Sequence, residues 1–299
     1  MKISVIITSY NQSKYLKKII ESLEKQENNC EFEVIITDDG SKVEEISKII
    51  SIISSSKLEI YHIFQQDKGF RAGKARNNAI KLAKNELIIL LDGDCIPKDN
   101  FLNEHLKLHE NNENLLVYTN RDHGVFDNSC ENKEEKIIVD KSICLRESII
   151  KNNMKIWQRV WSFNSSFRKK EYTLFDENFF GYGLEDTEFA YRMLMENHYE
   201  ITELIQPTVI HIDEDLKDIS KSPFIVRKAE YLYNYINNAI YFYKKYRSDE
   251  IMNTFGNIPN FNEFLDPSFN FKDKLKNPTK QTIENLELQS ELFKNFINK

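Results

Sequence analysis

Short apolar runs alternate with helix-spaced apolar stripes through residues 1–119, and that alternation restricts the fold more than any other feature of the chain. Val5-Ile6-Ile7-Thr8, Phe32 to Thr37, Leu58 to Phe64, Leu87 to Leu91 and Leu115 to Thr119 read as buried strands. Between them, Tyr15, Leu16, Ile19, Ile20 and Leu23 recur at helix spacing, as do Ile46, Ile49, Ile50 and Ile53, and then Ala75, Ala79, Leu82 and Ala83. Strand, helix, strand requires crossover connections, so the pattern predicts an α/β fold with a mainly parallel central sheet. Ligands of such sheets bind beyond the carboxyl ends of the strands, which directs attention to the polar segments that follow each run.

Past residue 119 the signal changes. Residues 120–150 are polar and lack a clear period, which suits a mobile insertion over the sheet edge. Beyond Asp213, Leu232, Tyr235, Ile236, Ala239, Ile240 and Tyr243 form one helical stripe, Asn253 to Pro278 reads as an extended wrap, and residues 283–297 as a closing helix. The expected organisation is one domain over residues 1–213, divided at 119, with a helical C-terminal extension over 214–299. Lysine and arginine number 41 against 47 acidic residues, and a net charge of −6 argues against a broad basic face for nucleic acid. No apolar run approaches the roughly 18 residues of a membrane span, and Ile3 to Ile7 is too short for a signal peptide. A cytoplasmic protein is expected. The scattered Cys30, Cys95, Cys130 and Cys144 read as free thiols.

Three acidic turns and one basic segment carry the candidate chemistry. Asp92-Gly93-Asp94 follows the fourth run, with two carboxylates on one side of an extended backbone and a glycine that would let a ligand approach. Such a pair suits Mg²⁺ or Mn²⁺ together with diphosphate oxygens, or is a solvated acidic turn. Asp38-Asp39-Gly40-Ser41 follows the second run; either carboxylate would serve a nucleobase or ribose, or brace the next helix. Thr8-Ser9-Tyr10-Asn11 adds amides and an aromatic face beside it. Lys68 to Asn77 interleaves Lys68, Arg71, Lys74 and Arg76 with Gly69 and Gly73, suited to phosphate oxygens near a helix start. It is not a P-loop: three residues rather than four separate Gly69 from Gly73-Lys74, and Ala75 stands where Ser or Thr is needed. Gly181-Tyr182-Gly183 lacks the third glycine of a dinucleotide fingerprint and runs into Glu185-Asp186, where one carboxylate can act as general base or cap a helix. His211, within an apolar run, is either a core residue or a metal ligand; the other five histidines show no pairing pattern.

In this order, Ser4 to Asn11, Thr37 to Ser41, Gly69 to Asn77 and Asp92-Gly93-Asp94 resemble the family-2 glycosyltransferases of the GT-A fold. Phe163 to Arg168, Phe175-Asp176-Glu177, Gly181 to Glu188 and His211 are similar to chondroitin-synthase-type polymerising domains and a galactosyltransferase-type C-terminal signature. The chain departs from that signature at Tyr182, in place of Trp, at Leu184, in place of its second glycine, and at Trp161-Ser162-Phe163 before Asn164. The resemblance implies an inverting transferase in bacterial surface polysaccharide synthesis, moving a sugar from a UDP-sugar to a glycan or lipid-linked saccharide. It implies Thr8, Tyr10, Asp39, Arg71, Arg76, Asn77, Asp92 and Gly93 at the nucleotide sugar, and Asp92, Asp94 and His211 on Mn²⁺ or Mg²⁺. Asp186 would be the base, and Glu185, Asn164, Gly183 and Trp161 would face the acceptor. Alternatives are a non-catalytic sugar-nucleotide-binding module of a larger synthase and a sugar nucleotidyltransferase. The Tyr-rich stripe flanked by Arg227, Lys228, Lys244, Lys245 and Arg247 also suits peripheral contact with an anionic membrane.

Overall fold

The computed structural model describes residues 1–26, 30–127, 136–140, 153–212 and 229–255. Its first half follows the apolar pattern. Strands β1 (Ile3–Ser9), β2 (Phe32–Asp38), β3 (Ile60–Phe64) and β4 (Leu87–Asp92) are parallel neighbours in the order β3-β2-β1-β4. Helices α1 (Ser13–Glu24), α2 (Val43–Ser55) and α3 (Ala72–Leu82) make the crossovers. The α1 stripe lies wholly inward, with Leu16, Ile19, Ile20 and Leu23 all buried. Ile3 to Ile7 of β1 is covered on both faces, as a continuous apolar strand requires.

The second half was less visible in the residue pattern. Strand β9 (Asn164–Arg168) runs antiparallel between β4 and β6 (Leu115–Thr119), and β10 (Glu200–Leu204) adds parallel to β6. The resulting sheet has seven strands in the order β10-β6-β9-β4-β1-β2-β3. A second sheet, β5-β11-β7-β8, joins β5 (Cys95–Pro97), β7 (Asp122–Asp127), β8 (Lys136–Asp140) and β11 (Val209–Ile212). The expected irregular insertion over 120–150 therefore contributes two paired strands, with Val125 opposite Ile138; residues 128–135 and 141–150 lie outside the described residues. Helix α4 (Phe101–His109) follows β5, and α5 (Glu185–Met195) follows the glycine turn.

The C-terminal stripe forms α6 (Ala229–Tyr246), followed by α7 (Asp249–Phe255). Ile236, Ala239, Ile240 and Phe242 of α6 share one apolar cluster with Ile6, Leu90, Phe167 and Phe189, so the described chain beyond residue 213 is packed on the sheet's own core. Trp157, in a 3₁₀ turn, is 1% exposed, donates to Glu250 of α7, and packs edge-on against Phe242. One expectation changes here. Residues 253–255 are helical rather than part of an extended wrap, while 256–299 lie outside the described residues. Ile236, Ala239 and Ile240 of the α6 stripe are buried, and the Lys245 ammonium is engaged by Asp176 at 2.8 Å and Glu188 at 2.7 Å; Arg227 and Lys228 lie outside the described residues. No described helix is long and apolar enough to cross a membrane. Among the described residues, Cys30 and Cys95 are free thiols.

Candidate active site

The carboxyl ends of β1, β2 and β4 bring the first three motifs together. At β2 the two aspartates divide the work left open by their sequence. Asp38 accepts from the Gly40 and Ser41 amides at 2.9 and 2.6 Å and braces the turn. Asp39, 5% exposed, accepts from the Arg71 amide at 2.7 Å and from Gln65 at 2.5 Å. Burial pushes its carboxyl up despite those donors. The Arg71 guanidinium turns to the Gln66 carbonyl, and the half-exposed Tyr10 donates to Asp67.

At β4, Gly93 donates its amide to the Thr8 carbonyl at 2.8 Å. A Cβ there would stand 2.5 Å from Gln12 Oε1 and 2.8 Å from the Thr8 oxygen. The glycine thus serves the close approach of the chain to itself. Thr8 Oγ1 is buried without a hydrogen-bond partner. Asp94 Oδ2 is 3.7 Å from His211 Nε2 and accepts from Gln12 at 3.3 Å. Burial raises the Asp94 carboxyl and the His211 imidazole opposes that rise.

Arg76 links this end of the sheet to the late glycine turn. It is 3% exposed, and its guanidinium spans Asp92 at 3.0 Å and Glu185 at 3.2 Å, residues 93 apart in the chain. Burial opposes its charge, but Asp92, Glu185 and Asp186 hold it protonated. Asp186, at the start of α5, accepts from the Ser162 amide at 3.3 Å and from its neighbour Thr187 at 2.7 Å. Burial first, and then the adjacent Glu185 carboxylate, push Asp186 up to about 7, with Arg76 pulling the other way. A carboxyl poised there can take a proton near neutral pH.

Several expected ligand contacts are instead structural. Asn77, 2% exposed, donates to the Phe175 carbonyl at 2.9 Å and accepts from the Phe175 amide at 2.7 Å, so its amide pins 175–177 to α3 rather than facing a nucleotide. Asn164 is fully buried between His105 at 2.9 Å and Thr208 at 2.8 Å, which removes it from the acceptor face. Gly183 lies against α6: its carbonyl accepts from Asn238 at 2.7 Å, and a Cβ would meet Tyr235 at 3.1 Å. Trp161 is partly exposed and stacks on Phe163, next to the Ser162 amide that holds Asp186. Trp157 is core.

Other site residues escaped the sequence reading. The Arg121 guanidinium lies 4.8 Å over the Phe163 ring, where its charge favours the Asp94 carboxylate. His123 pairs in register with His211, ring centroids 5.7 Å apart, although 88 residues separate them. The short Val125-Phe126 run was the signal for β7, and only the parallel pairing of β7 with β11 reveals the histidine neighbours. His105 and His109 form a second pair, both reaching Ser166 Oγ at 2.8 Å.

A mostly parallel sheet with acidic turns at its carboxyl ends, closed by a later antiparallel strand and a second small sheet, defines a GT-A-type nucleotide-sugar fold. The chain belongs to glycosyl transferase family 2, whose model matches residues 4–177, more than half its length. Chondroitin synthase of Escherichia coli is 29% identical over 226 residues, covering 66% of this chain and 33% of that protein. The chain spans 22% to 60% of the length of the first curated relatives it matches. Among solved structures, S. aureus TarS 1-349 in complex with UDP-GlcNAc superimposes with a TM-score of 0.60 at 18% identity, covering 97% of this chain and 79% of that one. The mannosyltransferase PcManGT of Pyrobaculum calidifontis, in complex with GDP-Man and Mn²⁺, gives 0.59 at 14% identity, covering 98% and 85%. These two likenesses show the fold.

Proposed function

We propose that this chain transfers a sugar, with inversion, from a UDP-sugar to a hydroxyl of a glycan or lipid-linked saccharide in bacterial surface polysaccharide synthesis. The observation that carries the reading is the Arg76 bridge. It holds Asp92, at the end of the donor half, and the Glu185-Asp186 pair within the span of one guanidinium. In this reading Asp39 lies on the uracil side, with Thr8, Tyr10 and Arg71 around the nucleotide. Trp161 and Glu185 belong to the acceptor side. The acceptor O–H gives its proton to the Asp186 carboxylate while its oxygen attacks the anomeric carbon. The bond to the diphosphate breaks on the opposite face, and the nucleoside diphosphate departs with that electron pair. A single displacement inverts the centre.

The donor set fits a hard divalent cation, Mn²⁺ or Mg²⁺. Asp94 and His211 already face one another, whereas Asp92 shares its carboxylate with Arg76; no three such ligands are gathered among the described residues. When bound, the ion would supply charge stabilisation for the leaving diphosphate. Calorimetric titration of UDP with Mn²⁺, and again with chelator, tests the reading on wild type, Asp94→Ala and Asp186→Ala. Metal-dependent binding to wild type and Asp186→Ala, with at least tenfold loss in Asp94→Ala, is the expected result. Absence of UDP binding under every condition would overturn the uridine assignment.

A further inference from the structure

The transferase reading rests on a turn, residues 180–184, whose backbone needs support from elsewhere in the chain. Gly181, Gly183 and Leu184 all have positive φ, at 73°, 99° and 72°. Leucine in the left-handed region is disfavoured by its Cβ, and such a backbone persists only where its surroundings over-determine it. Here the surroundings are α6. Asn238, 3% exposed, donates through Nδ2 to the Gly183 carbonyl at 2.7 Å and accepts through Oδ1 from the Phe180 amide at 3.3 Å. One side chain therefore ties both ends of the turn. Asn234 occupies the space where a Gly181 Cβ would stand, 2.3 Å from that position, and Tyr235 presses on Gly183. Leu184, 5% exposed, is packed in the same apolar cluster as Ile236 and Ala239. The next residues are Glu185 and Asp186.

We propose that Asn238 is a positioning residue for the general base: its two hydrogen bonds fix the 180–184 turn so that α5 starts with Asp186 on the Ser162 amide and Glu185 on Arg76. This inference rests on the transferase reading and adds to it a third segment, α6, beyond the stretch matched by the family. Helix α6 is held there independently, since Lys245 and Tyr246 bind Glu188 of α5, and Tyr241 and Lys245 bind Asp176. Loss of the Asn238 side chain should therefore free the turn without detaching the helix.

The test uses the full chain with Asn238→Leu, and with Asn238→Ala, whose smaller side chain leaves room for water on both orphaned groups if the leucine variant folds poorly. Hydrogen exchange of the 180–187 amides reads the clamp without any activity and should accelerate at least tenfold. UDP affinity by calorimetry should stay within twofold of wild type. Turnover, followed as UDP release from UDP-sugars in the presence of saccharide acceptors, should fall about 10- to 100-fold in kcat, the range expected when a catalytic group is displaced by about an ångström. Unchanged exchange and kcat in both variants would overturn the proposal, as would a parallel loss of UDP binding and turnover, which marks a general structural role. Asp186→Asn is measured beside them. If it retains full turnover, the base assignment fails, while the exchange result still decides the clamp.

Discussion

Asp186 and Asn77 illustrate how far a residue's identity predicts its role. Both were conspicuous in the sequence, one after a glycine turn and the other after a basic stretch. Burial beside Glu185 gives Asp186 a proton affinity near neutrality, whereas burial against the Phe175 backbone leaves Asn77 nothing to offer a ligand. For Asn77 the residue type was legible but the neighbour that decides its use was not, because Phe175 lies 98 residues away. The Asp186 environment has a consequence for rate. As the proposed base, Asp186 must be ionised, so kcat/KM should rise about tenfold per pH unit on the acid side and level above about 7, where Asp186 titrates. Initial rates across pH check this, and a flat profile would remove Asp186 from the proton transfer. The same raised carboxyl holds a proton in the folded state that the unfolded chain has lost. Its contribution to stability is therefore present on the acid side and diminishes as pH rises toward about 7.

At the scale of elements, the strands and helices legible in the sequence are those with one strong period. β1, β2, β4 and α1 announce themselves through uninterrupted or evenly spaced aliphatic residues. β9 does not: Asn164-Ser165-Ser166 is a polar run, yet it is central and buried because its side chains are satisfied by α4 and by the segment before β11. Polar strands of this kind are invisible to hydrophobic periodicity, since the partners that make them tolerable belong to other elements. α6 presents the opposite case, an apolar stripe legible as a helix but silent about what covers it. Its docking predicts a contrast between adjacent lysines. Lys245 shares the neutralisation of the fully buried Glu188 with Arg192 and also pairs with Asp176, so Lys245→Met should cost about 1.5 kcal/mol. Lys244 is exposed, and Lys244→Met should stay within about 0.5 kcal/mol. Urea denaturation distinguishes them; equal effects would contradict the α6 contact.

The whole molecule has an apolar cluster on each side of the main sheet, one built with α3, α5, α6 and α7, the other with α1, α2 and α4. Within the second side lies a polar layer, His105 and His109 converging on Ser166. Burial lowers His105 to about 4, with Asn164 and Glu104 opposing the shift. Burial, His105 and Arg168 together lower His109 to about 3. Both are neutral in the folded protein, whereas the unfolded chain takes up two protons below about 6.5. Depressed imidazoles stabilise the fold above that value, and the contribution is lost as pH falls. Each group is worth up to about 1.4 kcal/mol per pH unit. Between about pH 5 and 6.5, where most carboxylates remain ionised, the histidine pair therefore opposes Asp186, and the raised Asp39 and Asp94 carboxyls act on the side of Asp186. Wild-type stability should fall on acidification by up to about 1.4 kcal/mol per unit in that window. Asp186→Asn should steepen the loss by up to about 1.4 kcal/mol per unit, and His109→Gln should lessen it by a similar amount. Denaturant midpoints and slopes for the three proteins at several pH values measure these differences. A wild-type stability that rose on acidification would show that the Asp186 site, and not the histidine layer, governs the fold's response to acid.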